Sequence, residues 1–462
     1  MIDPTAYSAT ELARAIRNKE FSALEAVASH LRRIDIVNTR LNAVVNLASE
    51  AALAEARRAD DALARGETWG LLHGVPMTIK DSLDTAGVIS TGGTKGRATF
   101  IPEQDATVVA RLRGAGAILL GKTNTPELTM AYETDNLVHG RTNNPHALAL
   151  TSGGSSGSAA AIVAAGGSPF DIGSDTGGSI RVPSHFCGTV GLMPTAGRVP
   201  KEGHILPPGG FVDAMTTLGP IARKVEDLEL TLSIISVADP GETQAIPLPM
   251  ARSDTVDSKG LRVAYFTDNG IISPVPEIAT AVKHVAAKLV EAGMTVEEAC
   301  PSALSESLDL TLDLWTADGG AGFAKVLKAS GTSEMHPFMQ TVMDFCRQRP
   351  KSSADRLQMR WERFRGAMLQ FMQRYDLLVS PVSPFAALPH GRTFDEDRFP
   401  GFSYTMTHNL TGWPVAVIRA GTTSDKLPIG VQLAGHPWRE DVVLAAARFL
   451  ETAFGEWPRP MS

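Results

Sequence analysis

Two glycine-rich loops, Gly153-Gly154-Ser155-Ser156-Gly157 and Thr176-Gly177-Gly178-Ser179, each present a serine where little side chain stands in the way. A serine hydroxyl attacks a carbonyl only when a neighbouring base takes its proton. The second loop is a run of backbone N–H groups, the kind of nest that holds an oxyanion, and Ser179 stands at its end. Three chemistries compete for these loops. Phosphate binding is disfavoured because no Gly-Lys-Ser/Thr follows. A nucleophile elbow fits Gly153, Ser155 and Gly157, but it needs a later Asp and His. His336, His390, His408 and His436 are present, as some histidines are in any chain this long. The third reading needs no histidine: Ser179 attacks, and Ser155 passes its proton to a neutral lysine. Lys80 follows the apolar run 75–79. By itself it reads as a surface lysine paired with Asp81 or Asp84. It becomes a base only if buried, because its free pKa of about 10.4 keeps it protonated at neutral pH and burial lowers that value.

The elements that must position these groups follow from local pattern. Residues 159–165 are small, apolar and uncharged, which predicts a helix packed on all sides and stopped by Gly166-Gly167. Phe170 and Ile172 alternate with Asp171 and Gly173, as in a short strand. Pro76 places the strand before Lys80 at an edge, or at a strand entry. Upstream, Ser8…Glu11 and Ser22…Glu25 match capping boxes, and a third helix over 48–65 ends at Gly66. A helix over 106–116 leads to a strand at 117–120. Later, 261–266, 277–291 and 294–296 form a β-α-β pattern. The region 302–374 is helical. Leu314, Trp315, Phe338, Met339, Met343 and Phe345 read there either as ordinary helix packing or as an adaptable apolar wall for substrate. Strands follow at 376–380 and 413–419, and a last helix begins near Arg439.

Composition narrows the function class. The chain has 462 residues, 43% hydrophobic, with a formal net charge of −7. That charge disfavours a nucleic-acid partner, and the apolar content suffices for a large core. Cys187, Cys300 and Cys346 show no paired spacing, so neither a disulfide framework nor a metal site is expected. No signal-peptide pattern and no membrane span of about 20 apolar residues is visible, so a cytoplasmic setting is expected. No repeat or linker divides the chain.

Taken together, three motifs resemble the amidase signature enzymes, the Ser–cis-Ser–Lys amidases. They are Gly74-Val75-Pro76-Met77-Thr78-Ile79-Lys80-Asp81, the 153–157 loop, and Asp175-Thr176-Gly177-Gly178-Ser179-Ile180-Arg181. The likeness extends through 186–195, Gly219-Pro220, 409–414 and 428–433. Ser158 and Met193 depart from the common pattern at non-catalytic positions. The resemblance implies an α/β fold: a large mixed twisted sheet of about eleven strands, covered by helices on both faces. It implies one domain over 1–462, with N-terminal helices at 8–66, a signature core at 70–235 and a substrate-side helical region at about 302–374. It also implies the catalytic set Lys80, Ser155 and Ser179, with Ser155 after a cis peptide bond and the N–H groups of Thr176, Gly177, Gly178 and Ser179 holding the oxyanion. Asp175 and Arg181 are read as loop braces. No cofactor is expected. The expected reaction is hydrolysis of a carboxylic amide, on a bulky uncharged aryl or alkyl small-molecule substrate. Carbamate (urethane) or ester cleavage and the amidase component of a tRNA-dependent amidotransferase are the alternatives, and the assembly, homodimer included, is left open.

Overall fold

The computed structural model describes residues 3–236, 245–246 and 248–461. Its eleven strands are β1 (Val44–Leu47), β2 (Pro76–Lys80), β3 (Ile118–Thr123), β4 (Phe170–Asp175), β5 (Val190–Met193), β6 (Thr217–Ala222), β7 (Arg262–Tyr265), β8 (Thr295–Glu298), β9 (Leu377–Pro381), β10 (Val415–Thr422) and β11 (Pro428–Gly435). They form one mixed sheet in the order β1-β3-β2-β4-β6-β5-β10-β11-β9-β7-β8. Every residue of β2, β3, β4, β6, β9 and β11 is buried. Strands covered on both faces need not alternate, and Leu377-Leu378-Val379 of β9 is such an apolar run.

Of the two placements expected for Pro76, the strand entry holds and the edge does not. β2 is not an edge strand: it pairs in parallel with β3 on one side and β4 on the other. Pro76 is its first residue, the position where a missing N–H is tolerated inside a sheet. Lys80 is the strand's last residue rather than the one after it. β4 likewise runs two residues further than the alternation suggested, and so carries Ser174 and Asp175.

Helices cover the sheet. Both predicted capping boxes form, at Ser8 with Glu11 and at Ser22 with Glu25. The helix Gly157–Ala164 is buried along its whole length. Its last carbonyls are met by arginines from three distant segments: Arg33 on Ala165 O (2.8 Å), Arg223 on Val163 O (3.2 Å) and Arg459 on Ala165 O (3.1 Å). The region 302–374 folds as the helices Ser307–Trp315, Ala321–Ala329, Pro337–Gln348 and Ala354–Met372. Among the described residues, no helix is long and apolar enough to cross a membrane.

Candidate active site

Lys80 is fully buried at the C-terminal end of β2. It is not the surface lysine of the simpler reading: Asp81 instead accepts from the Thr91 backbone N–H, and Asp84 from Arg97. The Lys80 Nζ lies 2.6 Å from Ser155 Oγ, 2.9 Å from Ser156 Oγ and 2.9 Å from Ser174 Oγ. Burial draws its pKa down to about 7, against the charges of Asp175 and Asp171, which pull it up. An amine this close to neutral, among hydroxyls, can accept a proton at ordinary pH. The Gly154–Ser155 peptide is cis, as the resemblance implies. A Cβ at Gly154 would stand 2.5 Å from Ala131 O, so this loop is seated directly on the 131–133 backbone.

Asp171, one strand over on β4, shares this buried region. Its Oδ2 accepts from Thr78 Oγ1 (2.6 Å) and Thr123 Oγ1 (3.0 Å), while its Oδ1 is buried with no partner. Burial pushes its carboxyl up to about 7. A second buried lysine, Lys122 on β3, reaches Leu83 O, Thr85 Oγ1 (2.8 Å) and Ser90 Oγ (3.1 Å), away from the loop serines.

The 175–181 loop is braced from within. Asp175 and Arg181 form an ion pair of 2.9 Å with both side chains fully buried. Burial works against the Asp175 charge, but Arg181, Asn409 and the Ile180 N–H more than offset it and hold the carboxyl below its ordinary range. Asp175 also accepts from Gly178 N–H (2.8 Å). That bond changes the oxyanion expectation: the Gly178 N–H is already committed. Among the described residues, the N–H groups of Thr176, Gly177 and Ser179 have no acceptor. The Ser179 carbonyl accepts from Ser156 N–H (3.1 Å), which ties the two serine loops together.

Thr176, Gly177 and Ser179 open onto a cavity of about 440 Å³. Six aromatic rings line it: Tyr132, Trp315, Phe323, Phe345, Phe394 and Phe399. Of the six residues read as helix packing or wall, Trp315 and Phe345 line it. Leu314, Met339 and Met343 are packed into core clusters instead, and the Phe338 ring lies against His336 and Phe394. Helical periodicity marks a buried face but does not say whether a core or a cavity lies opposite it.

The histidines that an elbow would need are elsewhere. His436 Nε2 contacts Tyr375 O (2.8 Å) and His390 Nε2 contacts Leu148 O (3.2 Å). His336 accepts from Phe338 N–H, and burial lowers His408 to about 3. His204 bridges to Leu83 through its backbone, and burial together with the charge of Lys80 lowers it to about 3. Two further hydroxyls reach Lys80: Ser156, which the sequence leaves without a primary role, and Ser174, which sequence reasoning missed. Ser156 was visible inside the Gly-Gly-Ser-Ser-Gly motif. Ser174 comes to the lysine only through the β2–β4 register.

Comparison with known proteins agrees with this architecture. A family model described as Amidase matches residues 25–444. The chain is 35% identical over 471 residues to one of the subunits of the glutamyl-tRNA(Gln) amidotransferase of Moorella thermoacetica, covering 96% of each. It is 34% identical over 464 residues to an acylamidase of Rhodococcus erythropolis, covering 96% of this chain and 94% of that one. The structure of 6-aminohexanoate cyclic dimer hydrolase complexed with substrate matches it with a TM-score of 0.89 at 28% identity, covering 100% of this chain and 99% of that one. A family model spanning most of the chain, relatives matched nearly end to end and a shared fold make this chain a member of the amidase signature family, hydrolases acting on C–N amide bonds.

Proposed function

We propose that this chain hydrolyses amides of bulky, uncharged aryl or alkyl groups through a seryl acyl-enzyme. Ser179 is the nucleophile, Ser155 the proton relay and Lys80 the base. The observation that carries this is the 2.6 Å contact between Ser155 Oγ and a fully buried Lys80. A neutral amine has two donors and one lone pair. Two of its three serine contacts are then donated, and the third, from Ser155, is accepted. Ser155 in turn takes the Ser179 proton as Ser179 Oγ bonds to the carbonyl carbon. The negative charge on the carbonyl oxygen is met by N–H groups of the 176–179 loop. The relay then runs backwards: Lys80, through Ser155, gives its proton to the departing nitrogen as the C–N bond breaks. Water repeats the cycle and frees the acid.

The cavity supports the substrate class. Among the described residues that line it, Glu396 is the one charged side chain, and it is exposed. Such a wall suits a large apolar group better than a small zwitterion. That favours a self-sufficient amidase over the amidotransferase role named for one relative, which needs partner chains. Carbamates and esters present the same carbonyl to the same triad and form the second substrate class to assay. The helices Ser307–Trp315, Ala321–Ala329 and Pro337–Gln348 form the substrate side of one domain, supplying Leu308, Trp315, Phe323 and Phe345 to the wall.

The test is a panel of anilide, primary amide, ester and carbamate substrates given to the purified chain alone. Hydrolysis of aryl anilides without partners is expected. A fluorophosphonate should label Ser179, and Ser179→Ala should abolish both labelling and turnover. Labelling of another serine, or activity only in the presence of partner chains, would overturn the proposal.

A further inference from the structure

The Gly177–Gly178 peptide is held from three sides. Its carbonyl oxygen accepts from Tyr132 Oη (2.9 Å) and from Thr405 Oγ1 (2.7 Å). Its N–H, on the opposite edge of the same plane, donates to Asp175 Oδ1 (2.8 Å). A planar peptide cannot turn about its flanking bonds without breaking all three. This plane stands between the N–H groups of Gly177 and Ser179, the two unpartnered donors on either side of it. Whatever fixes the plane fixes where those donors aim.

The clamp also explains the paired glycines. A Cβ on Gly177 would lie 2.6 Å from the Trp315 ring and 2.7 Å from Tyr132 Oη. A Cβ on Gly178 would collide with Thr405 Oγ1. Both hydroxyls therefore sit closer than any side chain at 177 or 178 would allow.

Thr405 belongs to the helix Ser403–Thr411, which grips the loop at further points. One turn on, Asn409 Nδ2 donates to Asp175 Oδ1 (2.9 Å), and Asn409 Oδ1 accepts from Arg181 Nη2 (2.6 Å). The Thr405 carbonyl accepts from Arg181 Nη1 (2.8 Å). The 409–414 motif, which the triad leaves without a task, thus begins on the element that braces the oxyanion loop.

We propose that Tyr132 and Thr405 are positioning residues for the oxyanion: their hydroxyls lock the Gly177–Gly178 peptide and so aim the Gly177 and Ser179 N–H groups at the developing charge. This rests on the reading of Ser179 as nucleophile. Tyr132 is the stronger arm, because Thr405 Oγ1 also lies 2.9 Å from Phe402 O and shares its one proton between two acceptors.

The variants Tyr132→Phe and Thr405→Val test this. The Tyr132 ring stacks on Phe402 at 3.8 Å with the planes 4° apart, a contact that phenylalanine keeps. Tyr132→Phe should lower kcat about tenfold, short of the ~100-fold or more that follows loss of an oxyanion donor itself. KM should stay within about twofold, since the clamp acts on charge that exists only in the transition state. Thr405→Val should show a smaller loss of the same kind, and the double variant a larger one. Affinity for a trifluoromethyl ketone, which forms a tetrahedral oxyanion on the nucleophile, should fall in parallel with kcat. Affinity for an unreactive amine of the same shape should not change. An unchanged kcat, a loss confined to KM, or an equal loss for both ligands would overturn the clamp, the last two marking Tyr132 as a substrate contact. Fluorophosphonate labelling of the unmodified chain separates the two readings: no label on Ser179 sinks the nucleophile, whereas a label on Ser179 with an unchanged kcat in Tyr132→Phe sinks the clamp alone.

Discussion

A lysine is useful as a base when keeping its proton has become costly. At Lys80 the cost is burial, and the opposing pull comes from Asp175 and Asp171. With the pKa brought to about 7, the neutral form that the proposed relay needs grows as pH rises. The rate on a neutral amide should therefore climb through about pH 7 and then level off, and an optimum near pH 5 would contradict a lysine base. Burial pushes the Asp171 carboxyl up into the same range, while hydrogen bonds from Thr78 and Thr123 and the charge of Lys80 pull it down. The sign of one change is nevertheless fixed. Asp171→Asn removes a negative charge that favours protonated Lys80, so the rising limb of the pH–rate profile should move to lower pH. A move to higher pH would show that Asp171 does not act on Lys80 through its charge.

Between elements, a tight constraint at the site lies where β4 meets the start of the helix Gly157–Ala164. A Cβ on Gly173 would stand 2.7 Å from Ser156 Oγ, the hydroxyl that lies 2.9 Å from Lys80 Nζ. The neighbouring backbone is buried on all sides and has no room to yield. Gly173→Ala should therefore destabilise the protein by about 1–3 kcal/mol and lower kcat as Ser156 is displaced. Urea unfolding and steady-state kinetics on the same preparation would check both. A variant as stable and as active as the parent would mean that the Ser156 hydroxyl is not held where the strand requires it.

Over the whole molecule, both ends of the chain are drawn to the far end of that same helix. Arg33, Arg223 and Arg459 supply donors to carbonyls at 163 and 165, where the helix ends. Arg459 also donates to Thr5 Oγ1 (3.0 Å), joining the C-terminal segment to the N-terminal one. Arg459→Met keeps the aliphatic stem but removes these donors. It should lower stability by about 1–2 kcal/mol, seen as a lower melting temperature, with KM unchanged because the serine loops lie at the opposite end of the helix. An altered KM with an unchanged melting temperature would reverse that assignment.

Much of this was legible in the residues. The capping boxes at Ser8 and Ser22, the uncharged run ending at Gly166-Gly167 and the β-α-β unit after residue 261 are local patterns, and local chemistry settles them. Neighbouring residues also carry the glycine-rich loops, and so the family and its mixed sheet. What the chain order could not supply is proximity across the sheet. Whether Pro76 sits at an edge or in the interior, whether Ser174 reaches Lys80, and whether Phe345 faces a cavity while Met343 faces a core depend on strand register and helix docking. Those are set by the packing of residues far apart in the chain. The residue types determined which proton transfers are chemically open to this protein. The tertiary structure decided that Lys80 loses its water, and with it much of its charge, because desolvation belongs to the folded surroundings and not to the lysine.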